Sequence, residues 1–149
     1  MGIAIFLHLL AVVVWVGGMF FAHQMLRPVA ASLLEPPLRL QLWVGVFRRF
    51  FPLVWISVLL ILFSGLYIIM LIGGFKLVSI NVHLMFLIGM IMMLVFFFVY
   101  FVPYGKLVRA VSAQEWKQGG EALASIRQLI GFNLSLGLLN VLVAVAGKF

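Results

Sequence analysis

The chain has 149 residues, 66% of them hydrophobic and 9% charged, with a mean hydropathy of +1.32. A soluble domain carries about 25% charged residues, so a soluble enzyme and a nucleic-acid-binding domain are excluded. The net charge of +7 then reads as basic residues flanking lipid-embedded segments, and the absence of cysteine removes disulfides and thiolate metal sites.

Four apolar runs follow one another at about 3–24, 52–73, 79–102 and 127–147. Each approaches the ~20 residues that a membrane-spanning helix needs. Residues 2–7 hold no Lys or Arg, and no small-x-small cleavage site follows, so the first run reads as a retained helix and not a signal peptide. The first loop, "EPPLRLQLWVGVFRRFF", opens on a Pro-Pro stop and continues apolar with scattered Arg. It predicts a helix along the membrane surface, or an extension of the second span that bends near Pro52, with Trp43 and Trp55 near the interface. In the third loop, Ser112 and Glu115 stand at capping-box spacing, and Gly119-Gly120 is expected to break the chain before the last helix. The remaining residues leave no room for a soluble domain. The expected fold is all-α, one integral membrane domain, a four-transmembrane-helix bundle running up-down-up-down.

Lys and Arg set the expected orientation. Arg27, Arg39, Arg48, Arg49, Lys106, Arg109, Lys117 and Arg127 fall on one side, and only Lys76 and Lys148 on the other. The loops at 25–51 and 103–126 are therefore expected in the cytoplasm, with both termini in the periplasm of a Gram-negative host. The expected location is the inner membrane, and the first partner is the lipid bilayer. Arg48-Arg49 marks the interface; its sharper reading is a clamp for propionates, phosphates or anionic lipid.

Polar residues inside the spans are few. At about 1.5 Å per residue, His8 lies ~8 Å inside the outer end of the first span, His83 ~6 Å inside that of the third, and Asn140 ~10 Å inside that of the fourth. Three polar side chains on three helices thus share a depth, and the nearest candidate partner of His8 is His83. At ~100° per residue, His8 shares a face with Trp15, Met19 and Ala22, and His83 with Phe86, Met90, Leu94 and Phe97. Asn133, Gly137 and Asn140 form a stripe that in lipid faces other helices. Ser64-Gly65 in the second span leaves space for a neighbour or a flat ligand. His23 sits at the inner end of the first span beside Gln24 and Arg27. Each feature also has a plain reading: a histidine bridging helices, asparagines acting as packing glue, methionines filling the core.

Two facing imidazoles can take both axial positions of a haem iron, with Trp15, Phe86 and Phe97 as walls of an apolar slot. The absence of Cys-x-x-Cys-His excludes covalent c-type attachment. Copper is the rival, because imidazole and thioether suit Cu(I), and His8, His83 and Met19 offer them. No acidic residue lies in any span, which argues against a carboxylate proton relay. No Ser-His-Asp set, P-loop or dinucleotide fingerprint is present.

"HLLAVVVWVGG" (8–18) with the following Met19-Phe20-Phe21 resembles the first helix of the CopD family of copper-resistance membrane proteins, and of the related HemJ-type protoporphyrinogen oxidases. "FRRFFPLVWISVLLILFSGLYI" (47–68) is similar to their next helix, and "RQLIGFNLSLGLLNVLVAVAG" (127–147) to a CopD-type last helix. The oxidase branch implies a four-helix haem b enzyme whose first-helix histidine maps onto His8. His83 matches the histidine that opens its third helix, but Met85 stands where that branch carries an important lysine, so enzymatic activity stays open. The CopD branch implies copper uptake across the inner membrane.

The preferred expectation is a haem b protein with a redox or electron-transfer role. His8 and His83 would be axial ligands, with Trp15, Asn140 and Gly65 lining the pocket and a quinone or other redox partner implied. The alternatives are CopD-type copper binding through His8, His83 and Met19, and a cofactor-free structural membrane subunit. His23 is the reserve ligand, and a homo-oligomer is compatible with all three.

Overall fold

A computed structural model describes residues 1–147; Lys148, one of the two basic residues counted on the outer side, lies outside them. The chain forms α1 (Gly2–Phe20), a π-helical segment (Phe21–Leu26), α2 (Arg27–Leu33), α3 (Pro36–Ile72), α4 (Ile80–Phe101), α5 (Pro103–Ser112) and α6 (Trp116–Ala146). Four continuous or near-continuous helical units, 2–33, 36–72, 80–112 and 116–146, are long and apolar enough to cross a membrane. We call the end of the bundle that holds the N-terminus and the α3–α4 turn the terminal end. The opposite end, with the α2–α3 and α5–α6 turns, is the basic end.

The helices outrun the apolar spans at the basic end. α3 has 37 residues, about 55 Å at ~1.5 Å per residue, against a hydrocarbon core of about 30 Å. The first loop is therefore an extension of the second span and not a surface helix. Pro52 lies inside α3, where it removes the amide that would bond the Arg48 carbonyl. Trp43 is buried on this extension, packed on Phe47 with ring centroids 5.3 Å apart. Its ring packs inside the bundle and not on the lipid-facing surface.

Prolines place the other breaks. Pro28 has no N–H for the Gln24 carbonyl and its ring crowds that oxygen. The wider π-helical turns of Phe21–Leu26 lie just ahead of it and relieve the clash. Pro103 likewise ends α4: Val102 leaves the helical region (φ −113°, ψ −80°) and α5 restarts at Pro103. Gly73 and Gly74 close α3 with positive φ, and the Gly74 amide donates back to the Ile69 carbonyl at 2.9 Å.

Two local expectations fail. Ser112 is the last residue of α5 and Glu115 the residue before α6, with no side-chain capping bond; the capping box is absent because the turn lies between the two residues, with Gln114 at φ 58°. Gly119-Gly120 does not break the chain, since α6 runs through both. Gly119 is buried, and a Cβ there would stand 3.0 Å from Leu40 Cδ1 and 3.6 Å from Ala110 Cβ. The glycine serves the close approach of α6 to α3 and α5.

The main packed seams are α1–α3, α4–α6 and α5–α6, with narrower contacts from α6 to α1 and α3. The first and third spans, α1 and α4, thus lie on the long diagonal and meet through large side chains such as Trp15 and Phe96. The core of the basic half is an aromatic block. Phe51 stacks on Phe47 at 4.8 Å and meets Tyr104 at 4.9 Å and Phe96 at 5.6 Å edge-on.

Candidate functional site

His8 heads the stripe Ala11, Trp15, Met19 and Ala22, all four buried. Its partner is on α3. His8 Nδ1 lies 3.0 Å from Ser64 Oγ, and a Cβ on Gly65 would stand 3.3 Å from His8 Cε1. The missing side chain at Gly65 is what lets the imidazole lie against α3. Ser64 spends its one hydroxyl hydrogen on the Leu60 carbonyl, so toward His8 it acts as the acceptor. With Ser64 as the acceptor, the tautomer that fits this contact carries the proton on Nδ1. This is how ligand histidines are usually prepared: the far ring nitrogen donates to a fixed acceptor, which sets tautomer and ring orientation.

The expected pairing of His8 with His83 does not form. His83 is exposed, its Nδ1 donates to the Ser79 carbonyl at 3.0 Å, and Phe75 stands beside it. The buried residues of α4 are Met92, Met93, Phe96 and Val99. His83 precedes Met92 by nine residues, which at ~100° each puts it on the opposite side of the helix. Leu94, expected on the His83 face, is 62% exposed, as that placement requires. The proposed aromatic walls also part: Trp15 meets Phe96, Phe86 meets Phe75, and Phe97 stacks on Trp55.

Met19 is buried in the core. α1 is continuous between the two residues, so Met19 lies about 16 Å along the axis from His8 and cannot share a metal ion with it. Asn140 donates to the Met85 carbonyl at 3.3 Å, and Asn133 to the Met92 carbonyl at 3.0 Å. Both tie α6 to α4, and each leaves a buried Oδ1 without a partner. Among the described residues no group of three His, Cys, Asp or Glu side chains gathers.

His23 differs from the other two histidines. Gln24 Nε2 donates to its Nδ1 at 2.9 Å, which leaves the proton of the neutral ring on Nε2. That nitrogen faces α6, where a Cβ on Gly131 would stand 2.9 Å away. His23 lines a cavity of about 310 Å³ at the basic end, together with Arg27, Arg39, Arg127, Trp43 and Trp116. A second cavity of about 20 Å³, lined by Trp15, Met19, Phe96 and Asn133 among others, has room for about one water molecule.

A protein-family model described as Copper resistance protein D matches residues 44–147, more than half of the chain. The chain belongs to the CopD family. The matched segment runs from Val44 in α3 through α6, so the CopD assignment rests on the second, third and fourth spans, and α1 with His8 precedes it. No curated protein and no solved structure matches the chain.

For Arg48 and Arg49 the interface reading, and not the clamp, fits the structure. Both are exposed, and the Arg49 guanidinium donates to its own helix at the Gly45 carbonyl, 3.2 Å away. The arginines that line one cavity in this CopD protein are Arg27, Arg39 and Arg127, from three elements far apart in sequence. The legible signal was Pro28, whose helix distortion sets the wall that carries His23 and Arg27.

Proposed function

We propose that this CopD-family protein binds copper as Cu(I) inside the bilayer, with His8 Nε2 as a ligand, and passes the ion along the bundle interior. The observation that supports this is the hydrogen-bond chain from His8 through Ser64 to Leu60, with the imidazole lying against the gap left at Gly65. Imidazole and thioether both suit Cu(I). The buried thioethers Met19 and Met92 lie deeper in the bundle and serve as later stations, not as members of one ligand set with His8. His83 stands outside the path. The eight-to-two distribution of basic residues supports an inner-membrane topology with the basic end in the cytoplasm and both termini in the periplasm.

Haem b with His8 and His83 as axial ligands is the rival reading, and with it stand the electron-transfer role and a quinone partner. It asks two imidazoles to converge on one macrocycle. Their settings on the long diagonal, one facing α3 and one outward, do not fit that group, and we derive no step through it.

The test uses the purified full chain in bilayer nanodiscs. Titration with Cu(I) against a colorimetric chelator is expected to leave at least one Cu(I) per chain, with no Soret band in the starting material. Retention no greater than in empty nanodiscs overturns the copper reading. A stoichiometric Soret band replaces it with the haem reading.

A further inference from the structure

We propose that the cavity at the basic end is a binding site for an anionic phosphate headgroup attached to an apolar body, a phospholipid of the surrounding leaflet. Arg27, Arg39 and Arg127 line it, without a carboxylate among the lining residues. The chain has three acidic residues, Glu35, Glu115 and Glu121; all are exposed and none lines the cavity. Basic residues that only set orientation extend their charge into water. Arg39 does not. Its Nη2 donates to the Ala31 and Leu34 carbonyls at 3.1 and 2.9 Å, which fixes the fork, and its Nε is buried with no acceptor. Arg27 is fixed likewise, its Nε donating to the His23 carbonyl at 3.2 Å.

Guanidinium forks held by carbonyls, with N–H groups left over, match the oxygens of a phosphate. The other walls are apolar, with Trp43 and Trp116 as flat surfaces, which suits the start of an acyl or glyceryl body and not a bare ion. The volume of about 310 Å³ is at the small end of the ~300–1,000 Å³ range of ligand pockets, enough for a headgroup whose tails stay in the bilayer. Basic pockets between membrane helices are a recurrent solution for lipid headgroups. The site is independent of the copper reading, since it lies at the other end of the bundle from His8.

The experiment is native mass spectrometry of the delipidated full chain in neutral detergent, titrated separately with phosphatidylglycerol, phosphatidylcholine and inorganic phosphate. Phosphatidylglycerol is expected to bind at least about tenfold more tightly than phosphatidylcholine. Arg39→Gln and Arg127→Gln are each expected to weaken it about tenfold, the size of one charge-assisted hydrogen bond, and Arg48→Gln, on the exposed face, to leave it unchanged. If millimolar inorganic phosphate displaces the lipid, the oxyanion site stands and its ligand is a soluble phosphate; if it does not, the ligand is the lipid. Equal binding of the two lipids overturns the proposal, as does a loss in Arg48→Gln equal to that in Arg39→Gln. Should Arg39→Gln fail to fold, Arg127→Gln, at the exposed rim on α6, decides the same question.

Discussion

His8→Leu is expected to reach the membrane at the wild-type level and to lose most of its bound copper. Insertion of α1 depends on about 20 apolar residues, and leucine makes the span more apolar. The hydrogen bond lost to Ser64 is worth about 1 kcal/mol between membrane helices, too little to unfold the bundle. A metal bond from His8 would have no such replacement, because Leu has no lone pair. Ser64→Ala separates ligand from support: it keeps the imidazole and removes the acceptor that fixes its tautomer, and a loss of about 10–100-fold in copper affinity is expected. Membrane yield and copper content measured on one preparation check both variants. Full copper occupancy in His8→Leu would reject the ligand role.

Phe51→Ala is expected to cause the largest loss of stability of any single truncation in the bundle. Phe51 is 2% exposed and lies between the ring of Phe47, stacked at 4.8 Å, and the edges of Tyr104 and Phe96. Phe→Ala in a core costs about 3–5 kcal/mol, part of it transfer and part cavity. In lipid the transfer part largely disappears, because tails are as apolar as the core, so about 3 kcal/mol is expected. The half-exposed Leu59 packs only partly on protein, and Leu59→Ala should change stability by under about 1 kcal/mol. Unfolding titrations in mixed SDS and neutral-detergent micelles read both. Equal stability of the two variants would show that the aromatic block does not hold the helices together. The block occupies the stretch of α3 between Ser64 at one site and Trp43 at the other, so it also separates His8 from the basic-end cavity.

The spans themselves were legible because a continuous apolar run has one meaning in lipid, and the α1 stripe from His8 to Ala22 was legible because small and aromatic residues repeat on one face. The α4 face was not. Leu, Met, Phe and Ile surround that helix on all sides, and lipid accepts the same residues as the protein interior, so neither the depth of His83 nor its apolar face with Phe86, Met90 and Leu94 tells inward from outward. The inward face is marked instead by carbonyls that accept from Asn133 and Asn140, a signal carried by α6 and not by α4. Gly119 read as a break because glycine is equally a breaker and a close-packing residue; only the neighbouring Leu40 and Ala110 decide. The arginine cavity was hidden for another reason. Arg27, Arg39 and Arg127 each have an ordinary explanation as loop charges, and their place around one cavity is a property of the fold.

His8 is expected to meet copper as the Nδ1–H tautomer. Imidazole nitrogen-15 NMR of the full chain in nanodiscs tests it most directly, with His83→Gln and His23→Gln used to assign the His8 resonances. The account predicts a protonated Nδ1 and a bare Nε2 at neutral pH, and on addition of Cu(I) a shift of the Nε2 resonance with Nδ1 still protonated. A His8 ring that carries its proton on Nε2, or whose Nε2 resonance is unmoved by Cu(I), would contradict it.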